Sequence, residues 1–135
     1  MRLSHIRKDY KRRTDMKYMI LAAETAEDFA LRDDQEKFEN YIGEWFVFSQ
    51  KMQPITLVGA ALETPQSATV VSVRDGQREI QDGPFPDTKE QLGGFFIIDA
   101  PNQAIAEEWA AKCPAAKTGF AELHAIPYLN EGELS

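Results

Sequence analysis

Asp82, Asp87, Lys89 and Glu90 bring three carboxylates and one amine into a stretch punctuated by Gly83, Pro84, Pro86, Gly93 and Gly94. On a short constrained turn, a partly desolvated carboxylate can take a proton from a bound molecule, and an amine can hold an anion. These four are the candidate ligand-binding residues. They also have a plainer reading: Asp82 can accept backbone N–H bonds in its Asp-Gly turn, and Asp87 with Glu90 has capping-box spacing. A second candidate lies in residues 120–126. A period of two there puts Phe120, Glu122, His124 and Ile126 on one face and Ala121, Leu123 and Ala125 on the other. If helices pack on the small residues, Glu122 and His124 face away from them. An imidazole beside a carboxylate can shuttle protons, which makes them the candidate catalytic pair, against the alternative of a hydrogen-bonded structural histidine.

Other chemistry is harder to build from this chain. No His, Cys and carboxylate cluster has metal-ligand spacing, and no Gly-rich loop leads from a strand into a helix, so neither a metal nor a cofactor is expected. The single cysteine, Cys113, falls at the end of a helix. The negative end of the helix dipole raises a thiol pKa, and packing is the expected role. Trp45 and Trp109 fit core positions on helix stripes, and Gly93-Gly94 reads as a turn that lets the next strand pack closely.

The elements that would position these groups follow from periodicity. Residues 17–23 are mostly apolar and predict a buried strand. Asp33 and Glu36 have capping-box spacing before a helix in which Phe38, Tyr41, Ile42, Trp45, Phe46, Ser49 and Met52 recur at three and four. Gln53-Pro54 stops it, and residues 55–62 predict a strand. Residues 68–74 and 77–81 flank Asp75-Gly76, the signal of a two-residue type I′ hairpin turn. Residues 82–94 predict an ordered turn, and 95–99 a strand. Asn102 caps a helix with Ile105, Trp109 and Cys113 on one face, Pro114 ends it, and 120–126 is the last strand.

The fold class is therefore α+β: βαβ, an inserted hairpin, then βαβ, which folds as a ferredoxin-like sandwich with both helices on one side of an antiparallel sheet. The other side, to which Tyr18, Ile20, Phe95 and Ile97 are assigned, is too apolar to face water, and a homodimer is the simplest cover.

Composition fits one domain of 135 residues with 43% hydrophobic content, and no apolar run approaches the ~20 residues of a membrane span. Residues 1–15 carry six cations against two carboxylates, net +4, which leaves −11 of the −7 total for the rest. A body that acidic repels phosphate backbones, so a nucleic-acid function would rest on the basic tail alone and no nucleic-acid partner is expected, while the lack of a long apolar run sets aside a membrane. The lone cysteine and the lack of an apolar leader point to a cytoplasmic setting. The expected organisation is a basic extension over 1–15, containing His5, a domain over 16–127 and a polar tail over 128–135.

Residues 82–98, Asp-Gly-Pro-Phe-Pro-Asp-Thr-Lys-Glu-Gln-Leu-Gly-Gly-Phe-Phe-Ile-Ile, resemble the DGPF branch of the YCII-related (YciI-like) family. The likeness extends to Met16-Lys17-Tyr18-Met19, to residues 109–116 and to Glu122. It implies a dimeric α/β barrel in which two sheets enclose a cavity, and little about activity. One YciI-like relative is linked to dehydrochlorination of an aromatic, and some members occur beside extracytoplasmic-function sigma factors. Departures are evident: no histidine lies between His5 and His124 to match the family's His-Asp pair, and Pro86-Asp87 replaces a small residue and Glu. Three functions stay open: small-molecule binding in a cavity at the dimer interface, a cofactor-free lyase, isomerase or dehydrohalogenase with a carboxylate or histidine base, and an accessory or regulatory interaction protein.

Overall fold

The computed structural model describes residues 16–84 and 89–130. The expectations placed on the basic extension, His5, Pro86 and Asp87 lie outside the described residues. The chain runs β1 (Met16–Thr25), α1 (Ala26–Ala30), α2 (Phe38–Met52), β2 (Thr56–Ala61), β3 (Thr69–Arg74), β4 (Gln77–Asp82), β5 (Glu90–Ala100), α3 (Gln103–Lys112), α4 (Ala115–Thr118) and β6 (Phe120–Ile126). Four strands form an antiparallel sheet in the order β2-β5-β1-β6, so the strands of the two βαβ halves interleave, and β3-β4 is a separate ribbon.

Local chemistry sets the helix starts. The Thr25 hydroxyl accepts the Asp28 N–H at 3.1 Å and opens α1, a helix that the charged sequence there concealed. The Asn102 side chain accepts the Ile105 N–H at 2.9 Å and opens α3, as its position predicts. The capping box expected at Asp33 and Glu36 does not form. Asp33 sits in a 3-10 turn, and it is Asp34 that accepts the N–H groups of Glu36 and Lys37, both at 2.9 Å, ahead of α2. Those two bonds hold the Asp34 carboxyl below its usual pKa.

Both long helices lie on the same side of the sheet. Phe48 and Met52 from α2 and Ala106, Ala110 and Cys113 from the α3 region pack on Tyr18, Ile20, Ala22, Ile98 and Ala100, with Ala121 and Leu123 at the margin. Small residues on α3 let that helix approach closely, as expected for β6 as well. The assignment of Tyr18 and Ile20 to the uncovered face is corrected by the register. Tyr18 lies opposite Ile98 and Ile20 opposite Phe96, on the helix side, whereas Phe95 and Ile97 lie opposite Leu21 and Met19 on the other. Sides alternate along a strand, so a face can be shared across distant strands only once their pairing is fixed. The uncovered face thus carries Met19, Leu21, Phe95 and Ile97, with Val58 at its edge.

The hairpin turn is as predicted. Asp75 (φ 53°) and Gly76 (φ 76°) both adopt the left-handed conformation that a type I′ turn needs, with Arg74 opposite Gln77. Gly93 and Gly94, expected in a turn, instead lie inside β5, which starts at Glu90.

Cys113 is fully enclosed, and burial pushes its thiol up from 9.0 to about 11. The unfolded chain therefore loses this proton near pH 9 while the folded chain keeps it. Stability present below pH 9 should fall as pH rises toward about 11. Urea denaturation across that window should show the decline, and Cys113→Ala should flatten it.

Candidate functional site

The period of two that buries Tyr18, Ile20 and Ala22 continues to Glu24, which is only 2% exposed. A carboxylate taken out of water must be compensated, and here two side chains do so. The phenol of Tyr41, on the second turn of α2, donates to Glu24 Oε1 in a short contact, and Arg32 Nη2 lies 3.5 Å from Glu24 Oε2. The same guanidinium donates from Nη1 to the Leu62 carbonyl at 2.6 Å and from Nη2 to the Gly93 carbonyl at 3.4 Å, and stands 4.9 Å over the Phe29 ring. Arg32 thus ties β1, the end of β2 and β5 to one point. Burial, and then the bond to Glu24, push the Tyr41 phenol above its ordinary pKa, so it is held protonated as a donor.

Glycine makes the arrangement possible. β5 carries one extra residue against β1, with Ala22 opposite Gly94 and Ala23 opposite Leu92, so Gly93 is the bulged residue. A Cβ on Gly93 would run into the Glu24 carboxylate, and one on Gly94 would stand 2.7 Å from the Ala60 carbonyl oxygen.

This cluster closes one end of a cavity of about 560 Å³ between α2 and the β2-β5 edge of the sheet. Phe38, Ile42, Trp45 and Phe96 supply its apolar wall, and Ser49, Gln53 and Thr56 also line it. The wall is an ordered aromatic stack. Trp45 lies over Phe96 with centroids 6.2 Å apart and planes 16° apart, while Tyr41 and Phe48 meet these rings edge-on. Gly59 leaves room for the Phe96 ring, since a Cβ there would stand 2.8 Å from it. Charge within the cluster is internally balanced, so the cavity offers a flat apolar surface ending in a neutral set of donors and acceptors.

The residues singled out from the sequence lie elsewhere. Glu122 and His124 do form a pair, Oε2 to Nε2 at 2.8 Å, on the uncovered face opposite Leu21 and Met19, each about half exposed. Asp82 ends β4 opposite Thr69 on the exposed ribbon, and Glu90 begins β5 opposite Thr25, next to Lys89. The loop residues are therefore not gathered with the Glu122–His124 pair into one site. Trp45, read from the sequence as core, packs against the core and also lines the cavity. Sequence reasoning passed over Glu24 and Arg32. The available signal was a single acidic residue in phase with a buried strand face; Arg32, beside Asp33 and Asp34, gave none. Among the described residues no group of three or more His, Cys, Asp or Glu could hold a metal ion, and no helix is long and apolar enough to cross a membrane.

A helix-covered antiparallel sheet with a polar-ended apolar cavity describes the class of protein. Residues 16–129 match the YCII-related domain, and the chain belongs to that family. An uncharacterised protein from Rhizobium meliloti (strain 1021) is 32% identical over 91 residues, which cover 66% of this chain and 70% of that protein. Among solved structures, a 5-chloro-2-hydroxyhydroquinone dehydrochlorinase from Burkholderia phenoliruptrix AC1100, in complex with 2,5-dihydroxybenzoquinone, is similar with a TM-score of 0.49 at 16% identity. That likeness covers 87% of this chain and 96% of the other.

Gly93→Ala should force the Glu24 carboxylate away from Arg32 and Tyr41, lowering the unfolding free energy by about 1–3 kcal/mol. Gly43→Ala, in α2 with nothing within 4 Å of its new Cβ, should be neutral or stabilising. Urea denaturation of the two variants checks the contrast.

Proposed function

We propose that this protein binds a small, flat, uncharged and largely apolar molecule in the cavity between α2 and the sheet, with a hydroxyl or similar group of the ligand set against Glu24, Arg32 and Tyr41. The observation that carries this reading is the buried, internally neutralised Glu24 cluster at the head of an aromatic-walled cavity. A few convergent polar groups in a mostly apolar cleft of several hundred Å³ are what small-molecule recognition requires. Phe38 and Ile42 support it, because both line the cavity while remaining 39% and 42% exposed, an apolar surface that a ligand would cover. Glu24 is also the residue to which a general-base role in proton abstraction falls, should a bound ligand displace the Tyr41 phenol from it.

A second reading concerns the uncovered face. Two ferredoxin-like sheets pressed face to face would make a dimeric α/β barrel and bury Met19, Leu21, Phe95 and Ile97. That pairing would enclose Glu122 and His124 in an interfacial cavity, where Glu122–His124 becomes the proton-transfer pair. The partly exposed apolar strip beside that pair favours it.

For the first reading, 4-hydroxystilbene titrated by quenching of Trp emission in a Trp109→Phe background should bind saturably. Tyr41→Phe should weaken it by about 2–10-fold. An unsaturable response, or an affinity indifferent to Tyr41, would remove the proposal. For the second, sedimentation equilibrium should give a dimer that Leu21→Glu converts to monomer; a monomeric parent protein sinks it.

A further inference from the structure

The cavity has polar side chains at both ends. Tyr41, Trp45 and Ser49 lie four residues apart in turn along one face of α2, Gln53 caps the helix four residues further on, and all four line the same cavity. From Tyr41 to Ser49 the helix advances about 12 Å at ~1.5 Å per residue. The opposite wall gives an independent measure. β2 runs antiparallel to β5 from Thr56, opposite Ile98, to Ala61, opposite Gly94, and both of its ends line the cavity. Five strand residues span about 16 Å. Ser49 and Thr56 therefore stand at the end remote from Glu24, with Gln53 beyond them.

The chemistry of that end is different. Among the described residues the side chains of Ser49 and Gln53 take no hydrogen bond within the protein, and the Thr56 hydroxyl donates to the Met52 carbonyl at 2.8 Å, leaving its lone pairs as acceptors. Between the two ends the wall is the Trp45–Phe96 stack, with no polar side chain from α2 interrupting it.

Resting on the binding function proposed above, we propose that the natural ligand is elongated and polar at both ends. Its body is a planar conjugated or polyaromatic segment laid along Trp45 and Phe96. One hydroxyl-type group meets Glu24, Arg32 and Tyr41, and a second uncharged donor-acceptor group about 12 Å away meets Ser49, Gln53 and Thr56. Ser49 and Gln53 are then specificity-determining residues, selecting for length, while the Glu24 cluster selects for the head group.

The test compares 4-hydroxystilbene with trans-4,4′-dihydroxystilbene, identical in body and differing only in the far hydroxyl, on the full chain carrying Trp109→Phe. The second probe should bind about tenfold more tightly. That gain should vanish in Ser49→Ala/Gln53→Ala, in which the two probes should bind with equal affinity. Among the described residues neither side chain takes a hydrogen bond within the protein, and circular dichroism verifies the fold. Equal affinity for the two probes in the parent protein, or a gain that survives the double substitution, overturns the two-ended ligand while leaving binding at the Glu24 end intact. If neither probe binds the folded protein, both proposals fall together.

Discussion

The buried Glu24 carboxylate is the constraint around which this molecule is arranged. An ionised side chain removed from water is destabilising by several kcal/mol unless its partners replace the lost hydration. The chain answers with a guanidinium, a phenol and a glycine, taken from three separate places: Arg32 after α1, Tyr41 on α2 and Gly93 in the β5 bulge. Each choice has a structural consequence. Arg32 reaches the Leu62 and Gly93 carbonyls, which pins the β2 edge of the sheet to the end of β1. Tyr41 fixes the N-terminal part of α2 over that edge, and the remainder of the helix is left standing off β2 and β5 around the cavity. The polar cluster and the apolar cleft are thus two results of a single requirement.

The two faces of the sheet divide the chemistry. The helix side holds the core and the Glu24 cavity, whereas the other holds the Glu122–His124 pair among partly exposed apolar residues. Because alternation along each strand sends neighbouring residues to opposite faces, β1 contributes Ala22 and Glu24 to one side and Met19 and Leu21 to the other. A single strand therefore serves both the core and the partly exposed opposite face.

Much of the architecture was legible from the residues. The Asp75-Gly76 turn, the Asn102 cap, the strand at 120–126 and its facing of Glu122 with His124 follow from short-range rules that the structure obeys, and the motif at 82–98 pointed to the YCII-related family. The failures share a cause. Tyr18 and Ile20 sit on the helix side, contrary to expectation, because the register that sets them opposite Ile98 and Phe96 is a long-range property. Glu24 and Arg32 were overlooked because a lone charge among charged neighbours looks solvated until the fold brings Tyr41 and Gly93 to it. Gly93-Gly94 looked like a turn because close approach and chain reversal both call for glycine, and only the neighbouring carboxylate distinguishes them.

Binding beside Glu24 is read most directly from a map of amide chemical-shift changes in the 15N-labelled protein titrated with 4-hydroxystilbene. If the cavity is the binding site, the largest shifts gather at Glu24, Arg32, Tyr41, Trp45 and Gly93. Shifts concentrated instead around Met19, Glu122 and His124, with the Glu24 cluster silent, would contradict it.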